Sequence, residues 1–252
     1  MFGRRAFAVV LAPIAFFTAC TSESDTRETT TLDVYAASSL ATPFAYAGLA
    51  YEKAHPGVRI QFNFGASSDL ARFVEEGAPA DVFAPADLTN MDKIESKDLL
   101  DSSPVIFATN YLEIIVEKGN PLNISSLQDL ENLDLVFVTT SPDVPIGKYT
   151  AEVLTKAGVS ITPDSLESNV KGIMLKVASG EADAAIVYHS EVIASDGQVE
   201  GVEIPAEFNI VATYPIGIIK NSANKKQAQG FVDFLLSTAG QTLLTQYGFG
   251  LP

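Results

Sequence analysis

The sequence predicts an α/β protein of two lobes, each a mainly parallel sheet flanked by helices. Three observations lead there. Short apolar strands alternate with amphipathic helical windows in two successive series from Leu32 onward. Hydrophobic residues make up 47% of the chain and charged residues 19%, enough apolar material for a packed core. The 252 residues suit one large domain or two lobes of roughly 100 residues each.

Leu32 to Tyr35 is strand-like, and Leu40, Phe44, Ala47 and Tyr51 then recur at helical spacing. His55-Pro56-Gly57 stops that helix, and Val58 to Phe64 alternates as a second strand. Leu70, Phe73 and Val74 mark a short helix closed by Gly77, and Asp81 to Ala84 is a third strand. This βαβα order implies parallel strands joined by crossover helices. In the second series, Tyr111 to Val116, Leu135 to Val138 and Ala184 to Tyr188 read as strands. Lys148 to Lys156 and Asn169 to Ala178 read as helices. Val211 to Ile219 is extended, and Lys225 to Tyr247 supplies closing helices with Phe231, Phe234, Leu235, Leu243 and Leu244 as their apolar face. The chain is expected to cross between lobes near Phe107–Tyr111 and to return near Val211–Ile216. That assigns 32–109 with 215–252 to the first lobe and 110–214 to the second. The aromatics Tyr35, Phe44, Tyr51 and Phe73 read as core.

Charge and composition exclude several functions. A net charge of −15 gives no broad attraction to nucleic acid. One cysteine excludes a disulfide framework or a Cys-based zinc site, and two distant histidines, His55 and His189, argue against a His-rich metal site. No G-x-G-x-x-G or P-loop occurs, so no nucleotide cofactor is implied. A serine hydrolase is the rival from the enzyme class. Gly65-Ala66-Ser67-Ser68-Asp69 is not a nucleophile elbow, because Asp69 stands where that motif needs glycine. His189, the nearest candidate base, reads as a solvated loop histidine. Glu75 and Glu76 read as a solvated helix flank.

At the N-terminus, Arg4 and Arg5 precede an apolar run from Ala6 to Phe17, about a dozen residues and too short to span a bilayer. This is the form of a signal peptide over 1–19. Phe17-Thr18-Ala19-Cys20 resembles the lipobox of bacterial lipoproteins, with Phe17 where Leu is usual. The resemblance implies cleavage before Cys20 and a diacylglycerol on its thiol, which would hold the protein outside the cytoplasm. The stretch from Thr21 to Thr31 lacks apolar residues, so 20–31 reads as a flexible tether.

Strand ends followed by Ser-bearing turns and helix starts recur. Tyr35-Ala36-Ala37-Ser38-Ser39-Leu40 is one, and Phe64-Gly65-Ala66-Ser67-Ser68-Asp69-Leu70 is another. Each puts a hydroxyl and unpaired N–H groups at a helix start, where the dipole favours anions. Ordinary N-capping explains any one such turn; two after consecutive parallel strands point to a ligand beyond the strand ends. Ser141 to Gly147, Ser168-Asn169-Val170 and Tyr188 offer matching parts in the second series. With the lobes face to face, four helix N-termini and a phenol would converge on one cleft of neutral donors. Asp69 reads as a helix-start acid facing away from it.

These segments, with Gly77-Ala78-Pro79-Ala80-Asp81-Val82-Phe83-Ala84, Val144-Pro145-Ile146-Gly147-Lys148-Tyr149, Ala185-Ile186-Val187-Tyr188 and Tyr247-Gly248-Phe249, resemble the substrate-binding proteins of molybdate ABC transporters. The resemblance runs in order from Leu32 to Phe249. It implies a type II periplasmic-binding-protein fold that closes on molybdate or tungstate, delivers it to a membrane permease and works as a monomer without cofactor. The oxyanion contacts it implies are Ser39, Ser67, the backbone at Ile146 and Val170, and the Tyr188 hydroxyl. Molybdenum would then be bound only as its oxyanion. Ile146 departs from the alanine usual at that position. Sulfate or phosphate on the same fold is the alternative within the class. Fully deprotonated oxyanions need donors alone, whereas hydrogen phosphate also needs an acceptor.

Overall fold

A computed structural model describes residue 3, residues 29–132 and residues 134–252. Apart from Gly3, the expected signal peptide lies outside the described residues, as does Cys20. Strand–helix alternation begins with β1 (Thr30–Ala37), a single 3-10 turn (Ser38–Leu40) and α1 (Ala41–Ala54). It continues through β2 (Val58–Gly65), α2 (Ser67–Glu75), β3 (Val82–Ala84), α3 (Leu88–Ser96) and β4 (Val105–Asn110). Next come β5 (Leu112–Glu117), a 3-10 turn (Gln128–Glu131), β6 (Val138–Thr140), α4 (Pro145–Ala157), β7 (Ser165–Glu167) and α5 (Val170–Ala178). The chain closes through β8 (Ala184–Tyr188), α6 (His189–Ala194), β9 (Val199–Glu203), β10 (Ala212–Ile218), α7 (Lys225–Leu236) and α8 (Thr238–Gln246).

The first sheet has the order β2-β1-β3-β10-β4. β1 pairs in parallel with both β2 and β3, while β10 runs antiparallel to β3 and β4. The second group holds β8-β5-β9, with β5 antiparallel to both neighbours, and the parallel pair β6-β7. A parallel bridge from Phe137 to Ala184 joins the two pieces. Each sheet is thus mainly parallel with one reversed strand. The reversed strands β5 and β10 are those on which the chain passes from the first sheet to the second and comes back.

Three boundaries differ from the sequence reading. Thr30 and Thr31 are not tether: they pair with Val58 and Arg59, and the Thr30 N–H donates to Gly57 O at 2.8 Å. β-branched threonines suit a strand edge even without apolar neighbours. Asn110 and Ala212–Tyr214, assigned to the second lobe, belong to the first sheet, where Ala212 pairs with Asn110. The register shifts at Tyr214/Pro215, because a proline inside a strand needs a bulge. The strand expected over Leu135–Val138 lies at Val138–Thr140.

The packing follows from apolar spacing. Leu40, Phe44, Ala47 and Tyr51 all turn inward from α1 and its preceding turn, joined by Phe231 and Leu235 from α7 and Leu244 from α8. The Phe44 ring is the hub, with centroids at 5.9 Å from Phe62, 5.7 Å from Phe107 and 5.9 Å from Phe231. Phe73, read as core, is instead 40% exposed, and the Arg72 guanidinium sits 4.5 Å above its ring. This nine-residue helix buries Ser67, Leu70, Ala71 and Val74, so Phe73 falls on the outer flank.

Phe44→Ala is expected to cost about 3–5 kcal/mol, because three rings lose their common neighbour. Urea denaturation measures it; a loss below about 1 kcal/mol would show that the site collapses around the smaller side chain.

Candidate functional site

The five expected contact residues come together in space. Ser39, Ser67, Ile146, Val170 and Tyr188 all line one small cavity, ≈ 10 Å³, with Ala37, Ser38, Gly65, Ala66, Ala86, Val144 and Pro145. None of the five is more than 3% exposed. Local structure explains the convergence. β1 delivers Ser39 on the 3-10 turn that leads into α1, and β2 delivers Ser67 as the first residue of α2. From the second sheet, Ile146 and Val170 lie in the first turns of α4 and α5, and Tyr188 ends β8. Of the four expected helix N-termini, three belong to α-helices; the one at Ser38 is a 3-10 turn that runs on into α1.

The helix starts keep donors free. No side chain caps α2 or α4, so their first-turn N–H groups have no local acceptor. Pro145 opens α4 and lacks an N–H, which makes Ile146 the first donor of that helix. Gly147 follows because a Cβ there would press against the carbonyls of Thr140 and Ser141. At α5 the cap is Asn169, whose side chain accepts from Lys171 and Gly172 N–H at 3.0 and 3.3 Å, and the Val170 N–H is left over. The bulk of Ile146 is absorbed by the core, where it is 1% exposed.

Ser67 and Tyr188 keep a hydroxyl proton free to donate. Ser67 Oγ accepts from Ala86 N–H at 3.0 Å, which leaves its own proton to donate. Ser39 Oγ lies 3.1 Å from the Tyr214 hydroxyl. The Tyr188 hydroxyl is buried and has no hydrogen-bond partner among the described residues. A buried phenol left unpaired is costly, so its position calls for an acceptor. Burial, reinforced by Tyr214, Tyr149 and Asp87, pushes the Tyr188 ionisation well above the ordinary tyrosine range. Burial does the same to Tyr214. Both remain O–H donors throughout the physiological range.

Among the described residues, no charged side chain lines the cavity. Asp69 points away from it and pairs with Arg72 at 3.5 Å, as expected. His189 is not a solvated loop residue. β8 runs straight into α6, so the ring begins a helix, with Nδ1 2.7 Å from Glu113 Oε1 and a stacked Tyr111 at 4.5 Å between centroids. Among the described residues, no three His, Cys, Asp or Glu side chains gather as a metal site. Among the same residues, no helix is long and apolar enough to cross a membrane.

Sequence reasoning missed the residues that hold the donors in place. Tyr214, buried in the returning strand β10, touches Ser39, Tyr188 and Phe249, with ring centroids 5.8 Å from Tyr188 and 5.3 Å from Phe249. Asp87, buried beside Ala86, caps α3 through Asn90 N–H at 3.1 Å. Tyr-Pro within an extended run carried a hint of Tyr214, but nothing local marks its partner. Gly248 lies at φ +81°, and a Cβ there would meet His189 Cδ2 at 2.9 Å. This close approach seats the C-terminal Phe249 under Tyr214.

Two mainly parallel sheets meeting at a buried cavity of neutral donors define a receptor for a small solute. The family described as bacterial extracellular solute-binding protein matches residues 32–250, and the chain belongs to it. It is a transport component acting outside the cytoplasm, not an enzyme. It is 35% identical over 246 residues to the molybdate-binding protein ModA of Mycobacterium bovis, covering 95% of this chain and 94% of that one. In fold it resembles the periplasmic molybdate-binding protein of Azotobacter vinelandii, with a TM-score of 0.78, 20% identity and coverage of 88% and 99%. It also resembles the sulfate-binding protein SubI of Mycobacterium tuberculosis, with a TM-score of 0.80, 21% identity and coverage of 87% and 86%.

The buried tyrosines set an alkaline limit. Tyr149, Tyr188 and Tyr214 all ionise above the unfolded value near 10. Below that pH neither state loses these protons; above it the unfolded chain does and the folded chain does not. Stability is therefore expected to fall by about 1.4 kcal/mol per pH unit per tyrosine above pH 10. Urea denaturation between pH 9 and 11 measures the slope, and Tyr188→Phe should make it shallower by one share.

Proposed function

We propose that this protein captures molybdate, and tungstate with it, and hands the ion to an ABC permease. The observation that carries the reading is the cavity lining. Hydroxyls from Ser39, Ser67 and Tyr188 and helix-start N–H groups at Ile146 and Val170 meet with no carboxylate and no cation among them. Such a set satisfies a fully deprotonated tetrahedral oxyanion and offers hydrogen phosphate no charged acceptor for its proton. The 35% identity to ModA supports molybdate over other oxyanions.

The cavity is narrow and is lined from both sheets. We propose that its walls part to load the ion, with the crossover segments around Asn110–Leu112 and Asn209–Ala212 as the hinge between lobes. We further propose that the mature chain is a monomer tethered by a lipid on Cys20.

Thermal melting with millimolar molybdate, tungstate, sulfate and phosphate tests the reading. Molybdate and tungstate should raise the melting temperature by mass action; a shift with sulfate alone would reassign the ligand. Ser67→Ala should weaken molybdate binding by about 1.5–3 kcal/mol in titration calorimetry, the worth of a charge-assisted hydrogen bond. Wild-type affinity in that variant would leave Ser67 a helix-start residue only. Cys20→Ala should shift the protein from the membrane to the soluble fraction with molybdate affinity unchanged.

A further inference from the structure

The anion cavity has walls from both sheets, and an exposed side chain of α4 hydrogen-bonds from one wall to the other. Lys148 lies two residues after Ile146 on α4. Its Nζ donates to Thr89 Oγ1 at 2.8 Å, across 59 residues of sequence, and Thr89 belongs to α3 on the first sheet. The contact joins two elements that both begin at the cavity. α4 carries the Ile146 donor. α3 follows Ala86, whose N–H fixes Ser67, and Asp87, whose side chain caps α3.

Electrostatics give this position its sign. Asp87 is 2% exposed beside a site that receives a dianion, an arrangement that burial alone would oppose. Burial pushes the Asp87 ionisation above the ordinary carboxylate range; the Asn90 side chain and N–H oppose this most, and Lys148 and Lys93 add smaller shares in favour of the ionised form. Lys148 comes from the far side, so its share exists only when the sheets are together. Its ammonium also lies 5.8 Å from the centre of the Tyr149 ring, and Tyr149 packs edge-on against Tyr188 at 6.4 Å. The rim around it is mixed in sign, with Asp69, Arg72, Glu75, Lys93 and Asp143 about a separate open depression.

We propose that Lys148 is a cross-cleft latch: a positioning residue whose bond to Thr89 and attraction to Asp87 hold the closed arrangement and slow release of the anion. It does not line the cavity, so it acts through the first turn of α4 and not by touching the ligand. This rests on the oxyanion reading above.

Thr89→Val separates the latch from a general field effect, because it removes the acceptor and leaves every charge in place. Molybdate titration and stopped-flow dissociation are run on wild type, Thr89→Val, Lys148→Met and the double variant. Thr89→Val is expected to raise Kd about three- to ten-fold, nearly all in the dissociation rate. In the Lys148→Met background the same change should do nothing further, and Lys148→Arg should recover part of the loss. Wild-type Kd and dissociation rate in Thr89→Val, with Lys148→Met still weakened, would overturn the latch and leave only long-range attraction. Failure of the wild type to bind molybdate, tungstate or sulfate would end the oxyanion reading, and the latch with it.

Discussion

An α-helix cannot satisfy its own first N–H groups, and a helix start buried without an acceptor is unstable. Three starts, at α2, α4 and α5, are buried around one point, and the Tyr188 hydroxyl is buried there with them. Much of the surrounding structure can be understood as keeping those donors pointed and unspent. Pro145 removes one N–H and begins α4 at a fixed φ. Asn169 occupies two N–H groups of α5 and spares the first. The Ala86 backbone takes an acceptor site on Ser67, so the serine must donate in the other direction.

The sheets supply the rigidity this requires. Parallel strands bring their carboxyl ends, and hence the turns after them, to one edge. In the first sheet the register from Thr30–Val58 to Ala37–Gly65 carries Ser39 and Ser67 to the same height. The reversed strands β5 and β10 have the opposite task of carrying the chain across. Asn209 ties them near the crossing: its Oδ1 accepts from Leu112 N–H at 3.0 Å and its Nδ2 donates to Leu112 O at 2.9 Å. Asn110 Nδ2 adds a buried bond to Ser190 Oγ at 2.8 Å.

Much of this was legible in the sequence, for identifiable reasons. Strand–turn–helix junctions such as Ala36–Leu40 and Phe64–Leu70 carry local signals, namely small residues, serines and an apolar spacing that changes period. Those signals located the donors. Elements whose signal is tertiary were missed. β9, Val-Glu-Gly-Val-Glu, has a central glycine and outward acids, and pairs with β5 because a neighbour is available. Tyr214 and Lys148 were invisible in these roles, since their partners Ser39 and Thr89 lie far away in the sequence. Phe73 was misread because an apolar residue on a thin helix can as well cover a neighbouring arginine as enter the core.

The cavity lining has a consequence for where such a receptor can work. Among the described residues, its one ionisable group is the Tyr188 phenol, which stays protonated well past neutrality. No imidazole or carboxylate there gains or loses charge as the surroundings acidify or turn mildly basic. A protein exposed to the medium outside the cytoplasm therefore keeps the same set of donors across that range, and the buried carboxylates Asp87 and Glu191, whose ionisation burial raises, lie outside the cavity itself.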